Sequence, residues 1–268
     1  MLKARIITAL VLVICLGSAL FGLAREGWAL LMAAVTGLAA WEWAGLSAFR
    51  PVARVAYGLV TALLCLALAQ ALAAGLIPAS LVYLPSVAFW LLAVPLFLRL
   101  RPRSGMACAP VGWLVLLPTF VAAVQLRAAG PWVLLAVMAM VWVADIAAYF
   151  SGRRFGRHKL APAISPGKTW EGAWGAALGV LLYGFGVAAA SGQLASLSPI
   201  GMVLLAFFLL LFTAISIEGD LFESLLKRQA GIKDSSQLLP GHGGILDRID
   251  SLTSTLPLAG LMLTFWKA

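Results

Sequence analysis

Charge is scarce in this 268-residue sequence. Only 11% of its residues are Asp, Glu, Lys or Arg, against roughly a quarter in an ordinary soluble domain. A water-facing globular surface is thereby excluded. Acids are the scarcest group: 10 Asp and Glu stand against 19 Lys and Arg, and before residue 145 there are only Glu26 and Glu42. The three cysteines, Cys15, Cys65 and Cys108, are scattered and odd in number, so no disulfide or zinc framework is indicated; they read as small apolar packing residues. Long polar segments are missing too. The longest, near 151–170 and 218–243, are too short to bury a core alone, which excludes a separate soluble domain. There is no long internal repeat, which argues against an inverted-repeat transporter.

What is present is apolar. Hydrophobic residues make up 63% of the chain and the mean hydropathy is +1.02. Apolar runs of about 20 residues recur, each long enough to cross a hydrocarbon core of roughly 30 Å. Nine spans are expected, at approximately 6–23, 28–46, 55–76, 81–100, 110–126, 131–150, 171–190, 199–217 and 245–266. They must be helices, because no water reaches the bilayer core to satisfy an open backbone. The expected fold class is therefore all-α: a polytopic integral membrane protein, one domain over 1–268, with 1–130 as scaffold and lipid-facing wall and 131–268 as the polar, catalytic half. The first apolar run, Ile6 to about Leu23, exceeds the roughly 7–15 residues of a signal peptide core and reads as an uncleaved span. Pro85, Pro95 and Pro118 fall inside spans, where kinks are tolerated if neighbours satisfy the freed carbonyls. Trp28, Trp113, Trp132, Trp170 and Trp266 lie near span ends and read as interfacial anchors.

The excess of positive charge could suggest nucleic acid, but most bases lie in short loops between spans. With nine spans, all of the 19 Lys and Arg except Arg25, Arg127 and Lys267 fall on one side. Lys3, Arg5, Arg50, Arg54, Arg99, Arg101 and Arg103 are among that set. This asymmetry sets orientation: the N-terminus and both polar segments are expected in the cytoplasm and the C-terminus outside.

Three polar clusters lie at the cytoplasmic ends of the later spans. In the first, residues 145–172, Asp145 and Tyr149 are four apart on one helical face. Gly152, Arg153, Arg154, Gly156, Arg157 and Lys159 follow, in a pattern suited to close backbone approach and bidentate phosphate binding. Ser165-Pro166-Gly167-Lys168-Thr169 then precedes span seven, with Glu171 in its first turn: a helix cap and, beside a lysine, a phosphate-attracting end. In the second, Asp220, Glu223, Ser224 and Lys227 share a helical face; the carboxylate pair could hold a divalent cation, with Lys227 and Arg228 meeting phosphates. The third, PGHGGILDRID, carries Asp247 and Asp250 into span nine. Acids at the mouth of a span need cations or metal, and carboxylates without a His/Cys set favour Mg²⁺ over zinc. His242 reads as ligand, phosphate donor or turn residue. Glu42, near the end of span two, reads equally as functional or as a packing-bound carboxylate.

The stretch Ser224–Asp250, SLLKRQAGIKDSSQLLPGHGGILDRID, resembles the signature of the phosphatidate cytidylyltransferases, or CDP-diacylglycerol synthases. SPGKTWEG and the D-x3-Y-x2-G-R-x2-G-R pattern from Asp145 are also similar to that family. Gly167 departs from it, standing where a second lysine or another polar residue is expected. The resemblance implies transfer of CMP from CTP to phosphatidic acid, a Mg²⁺ requirement with a possible second cation beside it, and a polytopic homodimer of the bacterial-type inner membrane. It also implies roles. Asp220 and Asp247 would be the metal carboxylates and, with Lys227 and Arg248, the catalytic set. Ser165, Lys168, Thr169, Ser224, Arg228, Lys233, His242 and Asp250 would bind substrates. A CTP-dependent lipid-alcohol kinase, an ether-lipid cytidylyltransferase and a cation or proton transporter are the alternatives open at this point.

Overall fold

A computed structural model of the chain describes residues 2–101 and 109–267, with side chains from Ile6 to Phe265 within those segments. Arg103 and Cys108, and the side chains of Lys3, Arg5, Trp266 and Lys267, lie outside the described residues. Each expected span falls on helix. The helices are α1 (Leu2–Gly22), α2 (Arg25–Leu46), α3 (Pro51–Ala73), α4 (Ser80–Ala88), α5 (Val94–Leu100), α6 (Ala109–Ala129), α7 (Pro131–Phe155), α8 (Trp170–Ala190), α9 (Pro199–Gln229) and α10 (Leu246–Lys267). Among the described residues, seven helical segments are long and apolar enough to cross a membrane: α2, α3, the α4–α5 segment, α6, α7, α8 and α9. α1 and α10 flank them.

Local chemistry sets the helix ends. Pro51, Pro131 and Pro199 open α3, α7 and α9, where a missing N–H costs nothing. Ser198 and Thr169 cap α9 and α8 by accepting from Gly201 N and Gly172 N, each at 3.1 Å; the Thr169 cap is the one expected before span seven. Between α4 and α5 lies a π-helical turn, Phe89–Ala93. It ends two residues before Pro95, whose missing N–H and ring interrupt the i→i−4 ladder.

The most polar of the long helices is also the most enclosed. Residues 251–261 of α10 are buried without interruption, packed against α9, α6 and α4. Its hydroxyls make this possible: Ser254 Oγ donates to Ile215 O at 2.8 Å and Ser251 Oγ to Ser216 O at 3.1 Å, both on α9. Pro257, inside α10, has no N–H for Thr253 O. Thr119 Oγ1, from α6, lies 3.1 Å from that carbonyl and 2.7 Å from Val115 O of its own helix, so its single proton is shared between the two. Gly219 brings α9 and α10 together just above this level, since a Cβ there would overlap Ser254 Oγ and Asp250 O. The turns that carry Asp220 and Asp250 thereby meet.

Three features differ from the sequence reading. First, α9 does not end at 217 but runs unbroken to Gln229, about 46 Å at 1.5 Å per residue, so Asp220 to Lys227 ride on a rigid extension of the span. Second, 159–169 is not loop but an antiparallel ribbon, β1 (Lys159–Ala161) and β2 (Ser165–Thr169), with Lys159 opposite Thr169 and Ala161 opposite Ser165. Ala161 and Ile164 are buried against Leu221 and Leu225, which pins the ribbon to the α9 extension. Third, Trp28 and Trp113 do core work. Trp28 is buried and donates to Ala123 O at 3.2 Å; Trp113 stacks on Tyr57 and donates to Thr61 Oγ1 at 2.9 Å. Trp132 and Trp170 are exposed, as anchors should be. Of the cysteines described, Cys65 is buried and Cys15 exposed on the apolar α1.

Candidate active site

At one end of the bundle the later helices and the ribbon form a cleft of about 480 Å³. α7 contributes Asp145, Tyr149 and Arg153; the ribbon contributes Lys168 and Thr169; α9 contributes Ser216 and Asp220. α7 and α8 can enclose it because their contact is made of small residues: a Cβ at Gly175 would overlap the Ser151 side chain. Lys168 Nζ sits 2.7 Å from Asp220 Oδ2, and Ser224 Oγ donates to Asp220 Oδ1 at 3.2 Å. Arg153 donates to Tyr149 Oη at 3.1 Å. Asp145 on α7, Asp220 on α9 and Asp250 on α10 interact electrostatically with one another, and Lys168 and Arg248 act on Asp145 from the opposite sign. Behind the ribbon, His158 Nδ1 meets Glu171 Oε1 at 2.6 Å.

A second polar centre lies beside the first and is wholly structured. Glu42, fully buried on α2, accepts from Ser236 Oγ (2.6 Å) and Ile245 N (2.9 Å) on one oxygen and from Leu246 N (2.8 Å) on the other, which also shares the single Ser235 Oγ proton (3.0 Å) with Asp247 Oδ2 (2.9 Å). Those donors bracket the 230–246 loop and the first turn of α10. Gly244 is required there: a Cβ would overlap both the Glu42 carboxylate and Ser235 Oγ. Asp247 caps the same helix start, with Oδ2 accepting from Gly244 N (2.8 Å) and Ser235 N (2.9 Å) and Oδ1 from Lys227 Nζ (2.6 Å). Lys227 also pairs with buried Glu223 at 3.1 Å.

The residues expected from sequence divide between these centres. Lys168, Thr169, Ser224 and Asp220 gather in or beside the cleft, and Asp250 sits on the turn of α10 that meets Gly219. Asp247, Asp250 and Arg248 are not among the cleft-lining residues; the Asp247 oxygens meet Lys227, Ser235 and Gly244. Buried Glu223 turns to Lys227. Ser165 stands at the start of β2. Arg228, Lys233 and Arg248 are exposed and, among the described residues, make no ion pair. His242 turns the loop through its N–H to Leu239 O at 2.9 Å, while its Nδ1 is buried with no partner among the described residues. The sequence reading left Glu42 undecided; its isolation in the acid-poor half was the available signal.

Oxygen donors and three mutually interacting carboxylates suit a hard cation. Among the described residues no three acid, His or Cys groups converge as a complete metal site. Mg²⁺ does not need one, since it usually takes one or two carboxylates and completes its shell with water and substrate phosphates. The cleft fits that mode.

Residues 3–266 match the cytidylyltransferase family. The chain is 43% identical over 282 residues to a phosphatidate cytidylyltransferase of Pseudomonas aeruginosa, covering 100% of this chain and 98% of that protein. It is 36% identical over 282 residues to the corresponding protein of Haemophilus influenzae, covering 96% of each. A phosphatidate cytidylyltransferase of Thermotoga maritima is 42% identical over 125 residues, covering 47% of this chain and 46% of that one.

Proposed function

The chain belongs to the cytidylyltransferase family, and from that premise we propose a reading of the site as that of a phosphatidate cytidylyltransferase. The enzyme transfers CMP from CTP to phosphatidic acid, giving CDP-diacylglycerol and pyrophosphate for phospholipid synthesis. A phosphatidate oxygen attacks the α-phosphorus of CTP; the bond from that phosphorus to the β-phosphate bridging oxygen breaks, and its electron pair leaves with pyrophosphate. The attacker is already ionised, so no side chain has to remove its proton. Catalysis then rests on positioning two anions and offsetting the charge that develops on the leaving group.

The observation that carries the site assignment is the Lys168–Asp220 pair in a cleft at the rim of a membrane domain. An incoming phosphate competes with Asp220 for Lys168, which frees the carboxylate as the nucleotide binds. Asp220 and Asp247 would then hold Mg²⁺, with Asp250 and Asp145 nearby; Asp247 Oδ1, which accepts from Lys227, keeps a second lone pair for the ion. When bound, the ion would neutralise the triphosphate and its departing end. Arg153 and Arg248 supply further cations at the cleft, and the Glu42 clasp fixes the loop bearing Lys233 and His242. Thr8 Oγ1, on α1, donates to Pro240 O of that loop at 3.1 Å, which supports an N-terminus on the cleft side. The reading includes a cytoplasmic N-terminus, an external C-terminus, the bacterial inner membrane and the homodimer implied by the family resemblance. Residue-by-residue cysteine labelling and cross-linking in membranes test those points. Purified protein given CTP, Mg²⁺ and phosphatidate should release pyrophosphate and form CDP-diacylglycerol in equal amounts; phosphatidate-independent release would refute the reading.

A further inference from the structure

Ser235 stands where two carboxylates from different helices meet. It is buried in the 230–246 loop, and its one hydroxyl proton faces Glu42 Oε2 of α2 at 3.0 Å and Asp247 Oδ2 of α10 at 2.9 Å. Each oxygen has a backbone donor besides. Leu246 N serves Glu42 Oε2, and Ser235 N and Gly244 N serve Asp247 Oδ2. Two glycines keep the three groups within reach of one another. A Cβ at Gly244 would overlap both the Ser235 hydroxyl and the Glu42 carboxylate, and one at Gly243 would overlap Asp247 Oδ2. The hydroxyl is therefore free to turn between two acids and to bond only one of them fully.

A hydroxyl rotor points at the acceptor that suits it best, and the more negative acceptor makes the stronger bond. At 2.9 and 3.0 Å the two carboxylates compete on nearly equal terms. When Asp247 shares its charge with a cation, Glu42 becomes the stronger acceptor and the hydroxyl turns to it. The loop then gains a full bond to α2, while the Ser235 N–H still holds Asp247. We propose that Ser235 is a positioning residue that couples divalent-cation binding at Asp247 to closure of the 230–246 loop. The inference rests on the function proposed above, which gives the cation to Asp220 and Asp247, and adds what the cation does to the loop. The coupling is reciprocal. The closed loop fixes Asp247 Oδ2 with three donors, two of them from Ser235, and partners of this kind orient a metal-binding carboxylate. Lys233 and His242 ride on the same loop, so the cation orders both as the nucleotide arrives.

Trypsin cutting after Lys233, which is exposed, reads loop opening. Saturating Mg²⁺ without nucleotide should slow that cut roughly tenfold in the wild-type protein, near the lower end of what a hydrogen bond to a charged group is worth. This adds to the protection that Glu42 gives without the cation. In Ser235→Ala the slowing should fall below about twofold. That variant should fold, because both oxygens it leaves keep their backbone donors. Ser236→Ala is the contrast. Ser236 Oγ donates to Glu42 Oε1 at 2.6 Å and, among the described residues, makes no bond to Asp247. Its loss should speed cutting with and without Mg²⁺ and leave the roughly tenfold ratio in place. By reciprocity, the Mg²⁺ concentration that half-saturates CMP transfer should rise roughly tenfold in Ser235→Ala, while the KM for CTP at saturating Mg²⁺ stays within about twofold. Wild-type cutting that ignores Mg²⁺, or Ser235→Ala protein that keeps the wild-type ratio, would overturn the coupling. A wild-type protein that makes no CDP-diacylglycerol would refute the proposed function instead, and the cutting ratios would still decide the role of Ser235.

Discussion

Glu42→Gln is the perturbation with the sharpest structural consequence. The wild-type carboxylate, fully buried, faces four donors, two on each oxygen, one of them the Ser235 hydroxyl that it shares with Asp247 Oδ2. A glutamine keeps one acceptor oxygen and turns an NH₂ toward the other pair of donors. Whichever way the amide is oriented, one of that pair is a hydroxyl, Ser235 or Ser236, which can rotate to accept; the other is a backbone N–H, Leu246 or Ile245, which cannot. One buried N–H is therefore left facing a donor, at about 1–3 kcal/mol, and the surviving bonds lose their charge assistance. A total near 2–4 kcal/mol against the closed loop is expected on that basis, equivalent to roughly 30- to 1,000-fold in its population. Because Gly244 and Asp247 sit on the clasp, CMP transfer should fall by at least an order of magnitude. The loop between residues 230 and 245 should become sensitive to limited proteolysis, while Asp220→Asn leaves that loop protected. Glu42→Gln protein with near-normal turnover and an uncut loop would refute the clasp.

Other outcomes follow from the same geometry. Asp220→Asn removes a carboxylate from the cleft and should lower CTP incorporation into phosphatidate by 100-fold or more on the scale of a lost electrostatic contact to a phosphoryl-transfer centre; retention of a tenth of the activity would remove Asp220 from the metal assignment. Stripping divalent ions with EDTA should abolish transfer, and Mg²⁺ should restore it better than Zn²⁺; full activity in the chelator would exclude the hard-cation reading. Thr119→Val deletes the hydroxyl shared between the Val115 and Thr253 carbonyls and should cost about 1 kcal/mol of stability in detergent. Adding Pro257→Ala gives the Thr253 carbonyl a donor from its own helix and should recover part of the loss; strictly additive losses in the double variant would break the explanation.

Much of this architecture was legible in hydropathy. Each expected span falls on helix, and Thr169 caps α8 as a threonine before an apolar run should. Hydropathy is a local signal, however, and the clasp is not local. Glu42 meets partners about two hundred positions away, and no spacing rule connects them. Asp220 and Asp247 were paired by the family resemblance, which says nothing of their other partners; the fold adds Lys227 at one Asp247 oxygen and, through Gly219, fixes which turns of α9 and α10 touch. The short ribbon was hidden for a related reason. SPGKT has no strand periodicity, and its pairing depends on Ile164 finding Leu221 and Leu225. Trp28 and Trp113 were misplaced because a tryptophan near a span end looks the same whether it faces headgroups or another helix.

The central claim is that this chain moves a nucleotidyl group, not a terminal phosphate, onto a lipid phosphate at the Asp220 cleft. Purified protein supplied with phosphatidate, Mg²⁺ and CTP labelled at either the α- or the γ-phosphate tests it directly. The account predicts α-label in the lipid product, γ-label in pyrophosphate, and neither transfer with Asp220→Asn. Label from the γ-phosphate in the lipid, or undiminished α-label transfer by the Asp220→Asn protein, would contradict it.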